Sequence, residues 1–154
     1  MSVFQYKAEQ FLPIDIEKAW DFFSSPKNLS VITPPEMGFK ILTELNGKEI
    51  HDGMLIDYTV KPLLGIAMHW QTKIRDVEKY KVFADSQLKG PYKSWEHTHT
   101  FEEINNGVLM KDIINYELPF GFIGDIAHTL LVKKKIENIF AYRKSVLEKI
   151  FIKQ

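Results

Sequence analysis

From Val3 to Phe11 polar and apolar residues alternate, with Phe4, Tyr6 and Ala8 on one side and Val3, Gln5, Lys7 and Glu9 on the other, which is the period of a strand. Pro13 ends the run, and Asp15 stands where it can cap a short helix carrying Ile16, Ala19, Trp20 and Phe23 on one face. Ser24-Ser25-Pro26 breaks that helix. Residues 27–31 allow one more turn before Thr33-Pro34-Pro35 extends the chain. Strand-like runs follow at 39–45, 54–60, 66–77, 80–88, 94–103 and 108–118. Their short connections, including Asn46-Gly47, Asp52-Gly53, Glu78-Lys79 and Asn105-Asn106-Gly107, predict an antiparallel meander. Past Pro119, Gly121 and Gly124 the period becomes helical, with Ile126, Leu130, Leu131, Ile139, Phe140, Val146, Leu147, Ile150 and Phe151 recurring on one stripe. This predicts one long amphipathic helix from Gly124 to Gln154, roughly 40 Å long. A stripe of that length needs a broad apolar partner, and the sheet supplies it.

Side-chain chemistry allows the register to be worked out. If Asn106-Gly107 is a two-residue turn, Phe101 lies opposite Asp112, His99 opposite Ile114 and His97 opposite Tyr116. Trp95, His97, His99 and Phe101 then share a face with Met110, Asp112, Ile114 and Tyr116. The other face carries Glu96, Thr98, Thr100, Glu102, Lys111, Asn115 and Glu117 and belongs to solvent. The same count about Glu78-Lys79 sets Ile74 opposite Phe83, Thr72 opposite Asp85 and Trp70 opposite Gln87.

The inner face is therefore a mixture of aromatic and polar groups. A closed core would be nearly all apolar, because a buried polar group without a partner costs about 1–3 kcal/mol. Trp70, Thr72, Phe83, Asp85, Gln87, Trp95, His97, His99, Phe101, Asp112, Ile114 and Tyr116 are read as the wall of a pocket between sheet and helix. His97 and His99, two apart on a strand, project from the same side and can serve one bound molecule. Three roles stand open. With Asp112 or Asp85 they would make a two-histidine, one-carboxylate metal set. As catalytic groups, His97 or His99 would move a proton while Asp112 or Asp85 orients the ring. As hydrogen-bond donors they would simply hold a ligand, and this role is the one adopted, with no metal or cofactor expected. Ser86 and Ser94 fall on the opposite face, and no nucleophile elbow is present.

Composition narrows the field further. The chain has 154 residues, twenty basic and twenty acidic, so no strong global field draws it to nucleic acid or to an anionic membrane. The one basic run, Lys133-Lys134-Lys135, is read as a solvated helix face. Absence of cysteine excludes disulfides and thiol chemistry, and no apolar run is long enough to span a bilayer. The first residues do not resemble a signal peptide, so the expected location is cytoplasmic. Residues 1–154 read as a single domain, monomeric or homodimeric, without stable membrane anchoring.

The order of strand, two short helices, six-stranded meander and long terminal helix resembles the α+β helix-grip fold of the START/Bet v 1-like (SRPBCC) superfamily. Gly90-Pro91-Tyr92-Lys93-Ser94-Trp95-Glu96-His97-Thr98-His99-Thr100-Phe101, with Met110-Lys111-Asp112 and Tyr116-Glu117-Leu118-Pro119, is similar to a bacterial ligand-binding subgroup of it. Some of that subgroup are fused to a nucleotide-sugar epimerase-like domain. The resemblance implies a curved antiparallel sheet of about seven strands and an internal cavity for a lipid, polyketide or aromatic metabolite. The residues themselves leave an alternative, a cofactor-free cyclase, dehydratase or isomerase using His97 or His99 as general acid/base with Asp112 or Asp85 orienting it. Leu63 and Leu64, between two strands, and Met37, after the short helices, are expected to flank the pocket mouth.

Overall fold

In the computed structural model, which describes residues 2–62 and 65–152, strand β1 (Phe4–Leu12) leads into helix α1 (Ile16–Phe23). Asp15 Oδ1 accepts the Lys18 backbone N–H at 2.7 Å, so the predicted cap is present. Two tight helical turns, Pro26–Ser30 and Pro35–Met37, follow, each opened by a proline whose missing N–H costs nothing at a helix start. Then come β2 (Lys40–Ile41), β3 (Leu55–Val60), β4 (Met68–Glu78), β5 (Val82–Lys89), β6 (Ser94–Ile104) and β7 (Gly107–Glu117). All seven strands form one antiparallel sheet in the order β1-β7-β6-β5-β4-β3-β2. The meander is as expected, and β1 closes it by pairing with β7. The expected strand at 39–45 is reduced to two residues, Lys40 and Ile41.

The β6–β7 register differs from the sequence arithmetic by two residues, as does the β4–β5 register from Thr72 to Arg75, with irregularities on either side of that stretch. Ile104 pairs with Gly107, so the turn is Asn105-Asn106, both with positive φ, 44° and 63°. Asparagine tolerates that left-handed geometry, and a two-residue turn of this hand suits the twist of the strands. Gly107 is small for a different reason: a Cβ there would lie 2.4 Å from Phe11 Cζ and 2.5 Å from the Leu12 carbonyl oxygen. In the β4–β5 hairpin Glu78 pairs with Val82, and Tyr80 takes the left-handed conformation at φ 68°. A shift of two preserves every face, so the inner and outer sets stay as predicted.

The C-terminal helix begins earlier than expected. Helix α2 (Gly121–Ala127) passes through a π-helical turn (His128–Val132) into α3 (Lys133–Phe151). Its buried positions are Gly124, His128, Val132, Ile136, Phe140, Arg143, Leu147 and Phe151. A repeated spacing of four drifts by about 40° per step on a regular α-helix, and the wider π turn absorbs part of that drift. Consequently Ile126, Leu130 and Leu131, counted on the inward stripe, are exposed, while Phe140, Leu147 and Phe151 lie where they were expected. Three clusters make the core of the described residues, the smallest being Met37, Val60 and Trp70. Of the two larger ones, the first joins α1, the inner sheet face and Leu147, and the second joins Ile114, Tyr116, Val132, Ile136 and Phe140.

Candidate functional site

Between the sheet and α3 lies a cavity of about 200 Å³, measured as space open to the centre of a water-sized sphere. A single water needs about 10–15 Å³ on that scale, so the space admits a ligand. Its walls are mostly apolar: Ile56, Val60 and Phe83 from strands, Ile136, Ile139 and Phe140 from α3, and Leu29 and Ile32 from the turns. Tyr58 stacks on Trp70 at 5.9 Å, Trp70 meets Trp95 edge-on at 5.3 Å, and Tyr92 lies 4.7 Å from Trp95. Gln87 secures the loop carrying Tyr92 by donating to its carbonyl and accepting from its N–H. A Cβ on Gly90 would lie 2.4 Å from Gln87 Oε1, which explains the glycine at this position of the motif.

The polar contents gather on β5, β6 and β7. Because His99 lies opposite Phe83 and Asp112, and His97 opposite Asp85 and Ile114, the side chains join on the diagonals. His97 Nε2 is 2.7 Å from Asp112 Oδ1, and His99 Nε2 is 2.7 Å from Asp85 Oδ2. The remaining nitrogens point the other way round, His99 Nδ1 toward Asp112 at 3.3 Å and His97 Nδ1 toward Asp85 at 3.9 Å. The two rings stack at 3.7 Å, and His99 also stacks on Phe83 at 4.2 Å. Two carboxylates thus bracket a stacked imidazole pair. Arg143 reaches Asp112 at 3.5 Å from the helix and lies over the Phe140 ring.

Charge in this cluster follows from its contacts. Burial opposes ionisation of Asp112, but hydrogen bonds from both histidines and the charge of Arg143 outweigh it and hold the carboxyl well below its usual range. Asp85 is lowered in the same manner, burial being outweighed by the His99 hydrogen bond and the charges of His97 and His99. Burial also disfavours the His99 cation, yet its bonds to Asp112 and Asp85 raise its pKa. His97 is lowered, first by burial and then by the charge on His99. The contacts thus favour a cation on His99, which faces both carboxylates, and disfavour one on His97.

Asp85, His97 and His99 are also the residues that could hold a cation, their donor atoms lying within 4.8 Å of one another. However, a metal shared by two stacked rings would sit between their planes, away from the in-plane lone pairs through which imidazole ligates.

Of the residues read from sequence, Trp70, Thr72, Phe83, Asp85, Trp95, His97 and His99 line the cavity. Asp112 stands behind the histidines. Phe101 packs on Trp20 and Phe23 instead, and Ile114 is wholly buried in the second cluster. The Tyr116 hydroxyl hydrogen-bonds with His128 Nε2 at 2.6 Å, and burial followed by the Glu137 charge raises its pKa to about 12. Gln87 holds a loop rather than the cavity wall. Met37 lines the cavity but is buried, and so offers no outer surface. Leu63 and Leu64 lie outside the described residues. The sequence reading missed Arg143 and His128, although both fall on the buried stripe, Arg143 between Phe140 and Leu147 and His128 between Gly124 and Val132.

With this geometry the chain is a helix-grip protein of the START/Bet v 1-like fold. Ginseng major latex-like protein 151 from Panax ginseng, a Bet v 1-like protein, superposes with a TM-score of 0.69 at 13% identity, over 97% of this chain and 98% of its own. Protein CV1439 from Chromobacterium violaceum gives 0.71 at 11% identity over 96% of each chain. A nucleoside-diphosphate sugar epimerase from Corynebacterium glutamicum gives 0.67 at 23% identity, over 94% of this chain but 28% of that one. No protein-family model and no curated sequence matches the chain.

Proposed function

We propose that the protein binds a small hydrophobic or amphipathic molecule, a lipid, polyketide or aromatic metabolite, in the cavity between sheet and long helix. The observation that carries this reading is the combination of apolar walls with unmatched donors. Trp70 Nε1 and Arg143 Nε are buried without an acceptor, and both residues line the cavity. A buried donor left unpaired costs about 1–3 kcal/mol, so a ligand bringing an acceptor oxygen would relieve it. The apolar body of such a molecule fits against Ile56, Ile139 and the Tyr58–Trp70 stack, and its polar end against His97, His99 and Arg143. The fold likeness to Bet v 1-like proteins supports the same class of ligand.

A second reading has its own support. His99, whose cation its contacts favour, stacks on His97, whose cation burial disfavours, and each has a carboxylate partner, as the acid and base of a cofactor-free cyclase, dehydratase or isomerase would need. Mass spectrometry under native conditions, on protein purified without detergent, tests binding first. A discrete added mass in cell-derived or lipid-incubated samples is expected. Its absence from both removes the binding reading, and conversion of a bound carbonyl compound that stops in His97→Asn would favour the second.

A further inference from the structure

The N-terminal part of the long helix is built backwards for a helix that only grips a sheet. One side of it is buried through Gly124, His128 and Val132, and Gly124 packs so closely that a Cβ would lie 2.1 Å from the Pro119 carbonyl oxygen. On the opposite side Phe122, Ile126 and Leu130 recur at the same spacing of four, with Phe120 and Ile123 beside them, and all five are exposed. Phe120 and Phe122 show 80% and 74% of their surface to solvent. Phe120 is moreover held in the left-handed conformation at φ 71°, a cost for a bulky residue that burial of its ring does not repay. Isolated apolar side chains on a surface need no explanation, but a continuous stripe of five does.

The charges at the end of this stripe indicate what covers it. Lys133, Lys134 and Lys135 follow Leu130 after Leu131 and Val132; between Phe120 and Ile136 the only other ionisable residues are Asp125 and His128, and Glu137 comes next. Asp125 accepts a hydrogen bond from the Ser2 hydroxyl, and burial with the Lys133 charge lowers the pKa of His128. The segment is thus cationic in a chain of zero net charge. A convex apolar stripe ending in lysines matches the acyl boundary and phosphate layer of an anionic bilayer.

We propose that this helix face docks the protein reversibly on membranes rich in anionic lipid, with the phenylalanines and isoleucines in the acyl boundary and the lysines against the headgroups. Lys135 also lines the ligand cavity, so the docking face and the cavity adjoin, which suits a ligand drawn from the bilayer. The docking itself does not depend on the cavity being filled.

The full chain is sedimented with vesicles made of equal parts phosphatidylcholine and phosphatidylglycerol, and with vesicles of phosphatidylcholine alone. Pelleting with the anionic vesicles, weaker pelleting with the neutral ones and release by salt are expected. Phe122→Ser with Ile126→Ser should weaken partitioning about tenfold or more. Lys133→Gln and Lys134→Gln should each cost about fivefold. These side chains are exposed, so circular dichroism should be unchanged; the salt and headgroup dependence of the unmodified protein provides a readout independent of any variant. Failure to pellet with either vesicle, or pelleting of the double serine variant like the parent, would overturn the proposal. So would a concentration-dependent dimer that the serine variant dissolves while vesicles bind neither form, which would assign the face to a second copy.

Discussion

At the residue scale, the site rests on two stacked imidazoles bracketed by two carboxylates. His97 and His99 repeat along one strand, but the diagonal bonds to Asp112 and Asp85 make them unlike: one gains a cationic form and the other loses it. This asymmetry has a consequence for stability. His99 has a folded pKa above its ordinary 6.5, so its contribution is fully present below that value and is lost as pH rises through the raised one. His97 and His128, both lowered, contribute above 6.5 and lose that contribution only as pH falls. Denaturant unfolding at successive pH values above 6.5 should therefore show stability falling, and His99→Gln should flatten that fall. A profile with the same slope in the variant would mean that His99 carries no proton in the folded protein. The histidines, Asp85 and Asp112 were legible in the sequence because alternation on strands fixes the face of each side chain. Arg143 was hidden by its helix, where one cation among apolar residues reads as a lysine-like edge of the stripe.

At the element scale, the long helix is where pattern and structure part. Spacing of four from Gly124 to Phe140 cannot stay on one side of a straight α-helix, and the π turn at His128–Val132 is how the chain accommodates it. A sequence stripe drawn at 3.6 residues per turn crosses to the wrong side there, which is why Ile126, Leu130 and Leu131 were placed inside. Deleting Leu131 should return the turn to α geometry and rotate α2 against α3. The Tyr116–His128 bond and the burial of Gly124 would be lost together, at a cost of about 2 kcal/mol or more in chemical unfolding. Leu131→Ala, at an exposed position, should change stability by no more than about 0.5 kcal/mol. Equal effects of the two changes would mean that the π turn has no structural role.

At the scale of the whole molecule, curvature leaves space between sheet and helix that side chains only partly fill. Ile139 reaches that space from α3 and is itself half-buried, so a larger side chain there would occupy the cavity with little displacement of backbone. Ile139→Trp should abolish the added mass seen under native conditions. It should leave the unliganded protein as stable as before, because filled space replaces empty space. A ligand at a hundred times its dissociation constant should stabilise the parent by about 2.7 kcal/mol and the variant not at all. Equal ligand-induced shifts in thermal unfolding would place the bound molecule elsewhere.

The sequence alone determined the order of elements, the faces of the strands and the mixed character of the inner wall. These follow from local rules, since proline and glycine punctuate the chain and alternation has a period of two whatever the register. It also marked eight of the cavity-lining residues by number, Met37 among them as part of the expected mouth. Only the tertiary structure decided which residues bond across the strands, because Gly107 was needed for contact with Phe11 and Leu12 and the turn moved to Asn105-Asn106. The phase of the long helix and the size of the cavity were likewise decided in three dimensions. Each depends on how distant surfaces pack, and no spacing along one chain encodes the distance between them.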